Sequence, residues 1–253
     1  MLRFSVIAIA AVLTAADAFA VQGSISTANE RVSGDIKWHS RDQKYVIVKG
    51  QISKEFPLDD VTGLDIPKPA GYDKAVQAVE AGQGASAVAA LTKIVAEYRM
   101  LNWDQPAGRY LAFAYLSAGD AKKACSACES IISDDKKAGY TGDLAPAYWQ
   151  ALLKLGKLEK LEGLLKKAAA AGDRPSSAAA LVMRGDITLA GSNDAPDALK
   201  RALTDGYMRV VLMYQDADCA RERREALLKA ATCFDKLGQA ARAESLRGQA
   251  KRM

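Results

Sequence analysis

The sequence predicts a mainly α protein: an α-α solenoid of about five helical hairpins preceded by a small β unit. Three observations carry this expectation. Gly82, Gly119, Gly156 and Gly191 lie 37, 37 and 35 residues apart, and Gly238 follows 47 later. Each of these glycines ends an apolar stretch patterned for one helix face, and Ala87, Ala124 and Ala243 stand five residues beyond three of them. Ahead of the ladder, residues 32–66 carry short β-branched and aromatic runs instead. A fixed period of roughly 20–50 residues is the signature of a repeat array, in which each unit buries its apolar face against its neighbours.

The elements follow in chain order. Residues 1–20 read as a secretory signal peptide. Arg3 supplies the positive start, Phe4 to Ala16 is almost wholly apolar, and Ala18-Phe19-Ala20 offers an A-x-A-like cleavage site. The apolar run spans 13 residues, short of the ~20 that a spanning helix needs. No Cys stands near the cleavage site, which argues against a lipid anchor there. The mature chain is therefore expected to be exported, and periplasmic in a Gram-negative source. Residues 21–31 are small and polar and read as a flexible leader.

Residues 32–70 read as a β-rich unit, either a meander or an SH3-like barrel. Val32, Ile36 and Trp38 alternate with polar residues, Ser40 to Gln43 reads as a turn, and Tyr45 to Val48 is a β-branched and aromatic run. Ile52 and Phe56 follow, then one helical turn at Leu58 to Val61, then Leu64 and Ile66. Pro67, Pro69 and Gly71 form the junction.

Residues 71–253 read as the helical repeat domain. Ala75, Val76 and Val79 share one face before Gly82, and Val88, Leu91, Ile94 and Val95 form the returning face. Pro106 opens the second unit and Pro146 the third, while glycine closes each first helix, the expected asymmetry of helix ends. The fourth unit runs from Leu181 to Leu189 and returns from Leu199 to Leu212, a longer helix that accounts for the 47-residue step. The fifth carries Leu227, Leu228, Ala231 and Phe234 before Gly238, then Ala243 and Leu246.

In the unit from Gln105 to about Ala138, the residues Leu111, Ala112, Tyr115, Gly119, Ala124 and Ile131 fall at the signature positions of the tetratricopeptide repeat, which this segment resembles. Ala231, Phe234, Gly238 and Ala243 repeat the match in the last unit. Trp149 and Leu161 depart from it in the third, where small residues are usual, and the fourth unit is one residue short before its turn. The resemblance covers residues 73–252, about 70% of the chain. The signal peptide, small β segment and degenerate repeats together also look like exported bacterial envelope proteins. The resemblance implies a non-catalytic scaffold that binds proteins or peptides. It also implies that the first helix of each unit lines a concave groove. That places Arg109, Phe113 and Ser117 in the groove from the second unit, and Gln150 and Lys154 from the third. An aromatic with an Arg and a Lys suits a peptide bearing a carboxylate.

Charge offers an alternative. Residues 221–252 hold nine basic and four acidic residues, an excess equal to the +5 of the whole chain. Arg221, Arg223, Arg224, Arg242 and Arg247 would make this end a binder of an envelope polymer or an anionic membrane surface. Nucleic acid does not fit an exported protein.

A lesser alternative is a thiol-redox enzyme built on Cys125-Ser126-Ala127-Cys128. That chemistry needs the pair at a helix N-terminus after a strand, where the dipole stabilises a thiolate. Here the pair falls in the second turn of a return helix, as two small hydrophobes. Cys219 and Cys233 are 14 residues apart on one helical pattern. With one histidine, His39, and no second C-x-x-C, no zinc set is expected. Asp59-Asp60 and Asp134-Asp135 read as capping or solvated pairs. No G-x-S-x-G, P-loop or G-x-G-x-x-G motif occurs. The sequence thus implies no catalytic residues, no cofactor and no metal.

Overall fold

The computed structural model describes residues 20–253, which divide into two units, residues 20–67 and 68–253. All but the last residue of the expected signal peptide lies outside the described residues.

The first unit is one five-stranded antiparallel sheet. Its strands are β1 (Val21–Thr27), β2 (Arg31–His39), β3 (Lys44–Lys49), β4 (Ile52–Pro57) and β5 (Val61–Asp65), in the order β4-β3-β2-β1-β5. A 3-10 turn at Leu58–Asp60 joins the last two, at the helical turn expected there. The register pairs Ile36 with Ile47, Trp38 with Tyr45 and Tyr45 with Phe56, so one face gathers the apolar residues. The sheet is open, with β4 and β5 at opposite edges: β1 to β4 form a meander, and β5 crosses back to pair with β1, which makes an open sheet rather than a clear SH3-like barrel. One expectation is corrected. Residues 21–31 are not a flexible leader, because Val21–Thr27 forms an interior strand between β2 and β5. Its small polar residues disguise it. Val21 and Ile25 are buried on the apolar face, and Gly23 between them has no room for a side chain, since a Cβ there would lie 2.6 Å from Ile66 Cδ1.

The second unit is five consecutive helical hairpins. They are α1 (Tyr72–Glu80) with α2 (Gly84–Glu97), α3 (Asp104–Ser117) with α4 (Ala121–Ile132), and α5 (Ala145–Lys154) with α6 (Leu158–Ala170). Then come α7 (Arg174–Leu189), returning through α8 (Pro196–Ala202), a π turn at Leu203–Tyr207 and α9 (Met208–Met213), and finally α10 (Ala220–Lys236) with α11 (Ala240–Lys251). The long return of the fourth hairpin is thus a helical run with a π turn at its middle.

The glycine ladder is the set of hairpin turns. Gly82, Gly119, Gly156, Gly191 and Gly238 all have φ between 69° and 77°, the left-handed region that other residues enter only at a cost. Four of the five ends close identically. The N–H after each glycine (Gln83, Asp120, Lys157 and Gln239) donates to the carbonyl five residues back at 2.8–2.9 Å, and the glycine N–H donates three residues back at 2.9–3.0 Å. These two hydrogen bonds satisfy the last carbonyls of the helix. Gly191, in the unit one residue short, lacks this pattern; there Ser192 N donates to Leu189 O at 3.1 Å.

Successive first helices α1, α3, α5, α7 and α10 pack side by side, and each return helix also packs on the first helix of the next hairpin. Ala87, Ala124 and Ala243 are fully buried at the hairpin crossings, as is Leu161 in the third. Small residues there let helix axes approach closely. A Cβ on Gly84 would come within 2.9 Å of Ala114 Cα, so α2 and α3 touch backbone to backbone.

Between the first two hairpins, the left-handed residues Met100 and Asn102 turn the chain, and Asp104 fixes the turn. Its carboxylate accepts from Met100 N at 2.8 Å and Gln105 N at 3.0 Å, with the residue only 3% exposed. Burial, outweighing those bonds, pushes its carboxyl from the ordinary 3.8 up to about 6. The native state therefore holds this proton over a range where the unfolded chain has released it. Stability from Asp104 falls as pH rises from about 4 to about 6, by about 2–3 kcal/mol at ~1.4 per pK unit. Urea titrations of wild type and Asp104→Asn should show wild type losing that much relative to the variant between pH 4 and pH 7. A difference that does not change with pH would refute this.

Candidate functional site

The site is built where the first turns of α5, α7 and α10 meet. Ahead of α5, the left-handed Gly142 turns the chain and donates its N–H to Ser176 Oγ on α7 at 3.2 Å. This presents Asp143 to two arginines distant in sequence. Arg109 on α3 lies 3.7 Å from Asp143 Oδ1, and Arg221 on α10 hydrogen-bonds the same oxygen. Arg221 Nε also donates to Glu222 Oε1 at 2.7 Å. One chain of charge, Arg109–Asp143–Arg221–Glu222, thus links hairpins two, three and five.

Beside it lies a cleft of about 370 Å³. Pro146, Pro175 and Ala179 supply its apolar wall, backed by the fully buried Trp149, whose Nε1 donates to Gly139 O at 2.9 Å. Asp143, Asp173, Asp218 and Glu222 supply carboxylates, against the single guanidinium of Arg221. Asp173 is partly committed as the cap of α7, accepting from Ser176 N at 2.9 Å. Glu222 is 3% exposed, and its Oε2 has no hydrogen-bond partner among the described residues. An unsatisfied buried carboxylate oxygen is costly and uncommon.

A second surface adjoins this one at α3. Arg109 sits over the rings of Tyr110 and Phe113, 5.6 and 5.5 Å from their centroids. Tyr72 packs edge-on against Trp103 and Tyr110. Burial, with lesser help from Tyr110 and Asp143, pushes the Tyr72 phenol up to about 12.

The expected groove residues lie on the first helices α3 and α5, but they are not one cluster. Arg109 and Phe113 meet. Ser117 turns its hydroxyl back to Ala114 O at 2.9 Å. Gln150 is half-buried and Lys154 is exposed in the last turn of α5. The expected basic end is dispersed. Arg221 faces the cleft, Arg224 Nε donates to Ala250 O at 3.3 Å, and Arg223 is half-buried. Arg242 bonds Gln239 and lies over Phe234, and Arg247 pairs with Asp235. Lys229 and Lys236 are tied to Asp186 and Asp194. Asp143, Asp218 and Glu222 are the residues that sequence reasoning missed.

The cysteines are packed inside the fold. All four are free and buried. Burial raises the thiols of Cys125, Cys128 and Cys233, and pushes Cys219 up to about 11. A nucleophilic thiolate needs the opposite shift. Cys219 caps α10 and Cys233 lies far along it, about 20 Å away at 1.5 Å per residue. His39 is exposed at the end of β2. Among the described residues, no group of three or more His, Cys, Asp or Glu side chains is placed to hold a metal.

No family model matches the chain, and no curated protein does. Among solved structures it is similar to two crystal structures of nearly identical TPR-like repeats from a Podosopora anserina protein described as a kinesin light chain. One of these, a point-substituted form, shows 18% identity and a TM-score of 0.41, and the other 17% and 0.40. Each covers 71% of this chain and 91% of that chain.

Proposed function

We propose that the helical unit is a non-catalytic scaffold that binds a protein or peptide segment along its first helices, within a bacterial cell-envelope assembly. The observation that carries this reading is the row of first helices packed side by side, ending in a cleft with apolar walls and spare polar capacity. A pocket of that kind accepts a side chain of a partner. The raised thiols argue against thiolate chemistry, and the ion pairs of Arg221, Lys229, Lys236 and Arg247 weaken the alternative of a basic docking end. Export rests on the pattern of residues 1–20. Among the described residues, no helix is long and apolar enough to cross a membrane.

Site-specific crosslinking tests the reading. A photoreactive benzoylphenylalanine at Ala179, in the cleft, is expected to trap a discrete partner in the producing cell. The same group at Glu162, exposed on α6, is expected to trap none. Equal labelling from both positions, or none from either, would refute the proposal. Fractionation of the same cells, with sequencing of the mature N-terminus, tests export: a periplasmic chain beginning at Val21 is the expected result.

A further inference from the structure

We infer that the cleft receives a lysine side chain of the bound segment, with its ammonium on Glu222 and its stem against Pro146, Pro175 and Ala179. This rests on the scaffold reading and gives its partner a chemistry. It departs from the carboxylate-bearing peptide that the sequence suggested.

Three observations converge. The first is charge, since four carboxylates against one guanidinium line the cleft and favour a cation. The second is Oε2 of Glu222, which has no partner among the described residues and sits on a residue 3% exposed. Without a donor it keeps its desolvation cost, and a ligand N–H relieves that cost on binding. The third is the shape of what is left. Oε1 is already taken by Arg221 Nε at 2.7 Å, so a guanidinium fork, which needs both oxygens, does not fit. An ammonium is a compact point charge on an apolar stem and needs only the one oxygen. The carboxylates do not converge as a metal's ligands would.

Arg221 is the internal stand-in for that cation. Its side chain is 43% exposed, lines the cleft, and bridges Asp143 to Glu222. An incoming ammonium competes with it for the same carboxylates. Removing the acid and removing the base therefore have opposite effects on binding, which a merely structural role for both would not produce.

Fluorescence anisotropy on the full chain tests this with a labelled, end-blocked peptide carrying one lysine among glycine, alanine and proline. Two control peptides carry Nε-acetyl-lysine or glutamate in its place. The lysine peptide is expected to bind, and acetylation to weaken it at least about tenfold, the loss of one charge-assisted contact. Glu222→Gln is expected to weaken it about tenfold, and Arg221→Met to strengthen it several-fold. Arg201→Met, which removes an exposed charge on α8, is expected to change it less than about twofold. The inference is overturned if the acetylated peptide binds equally, if a folded Glu222→Gln protein binds as wild type, or if the lysine peptide does not bind. Acetylation acts on the peptide alone, so the test stands even where Glu222→Gln fails to fold. Binding of the glutamate peptide alone would overturn the lysine assignment and leave the scaffold reading intact. Failure at the crosslinked position 179 would remove both.

Discussion

Replacing Gly206 with alanine is expected to destabilise the helical unit by about 3 kcal/mol or more, at the top of the range for overpacking a core. The reason is that both sides of the contact are backbone. Gly206 lies buried in the π turn, and a Cβ there would come within 2.9 Å of Gly185 Cα and N and 3.0 Å of Leu181 O on α7. No side chain can rotate away to make room. Gly185 is the reciprocal case, because its Cβ would meet the Tyr207 ring at 2.4 Å. Two glycines thus let α7 and its return helix cross at contact distance, and the π turn sets the register that brings them opposite each other. Gly191→Ala provides the comparison. Nothing lies within 4 Å of a Cβ there, so only the left-handed backbone resists it, at a cost of about 1–2 kcal/mol. Chemical denaturation of both variants should rank them in that order. The reverse order would mean that the crossing is looser than described.

Asp186→Ala is expected to cost about 2–4 kcal/mol, through the contacts that tie α7 to its return helix and to the fifth hairpin. Asp186 accepts from the Tyr207 hydroxyl at 2.7 Å and pairs with Lys229 of α10, which also pairs with Glu225 at 3.0 Å. Tyr207 is 1% exposed, and burial pushes its phenol well above the ordinary range. Truncation leaves that hydroxyl without its acceptor and the ammonium with one partner instead of two. Asp186→Asn keeps an acceptor for Tyr207 and should recover part of the loss. A double-mutant cycle with Tyr207→Phe should return a coupling of about 1 kcal/mol between the two side chains. A loss below about 0.5 kcal/mol in Asp186→Ala, the scale of an ordinary surface change, would contradict the network.

The regular part of this fold was legible because its signals are local. A glycine in left-handed conformation leaves its mark within one turn of sequence, and so does the buried alanine five residues later. The odd fourth unit was legible in the same way, as a missing residue and a long apolar run. Strand β1 was not, because its inward positions are Val21, Gly23 and Ile25, and Gly23 is there to make room for Ile66, over 40 positions away in sequence. The same distance hid the site. Asp143 looks like any polar loop residue until Arg221 arrives from 78 positions further along. Glu222 did leave a trace. Cys219, Ala226, Ala230 and Cys233 form the buried face of α10, and Glu222 occupies that face within an arginine-rich run. A charge at a core position was the available clue to the cleft. Counting net charge over residues 221–252 obscured it, since several of those charges are neutralised inside the fold.

Hydrogen exchange of the full chain with and without a retained partner tests most directly whether partners bind the face of the first helices at the cleft. Slowed exchange is expected in residues 142–149 and 218–224, which border the cleft, with the return helices α4 and α6 unchanged. Protection concentrated in α4 and α6, with the cleft segments exchanging as in the free chain, would contradict it.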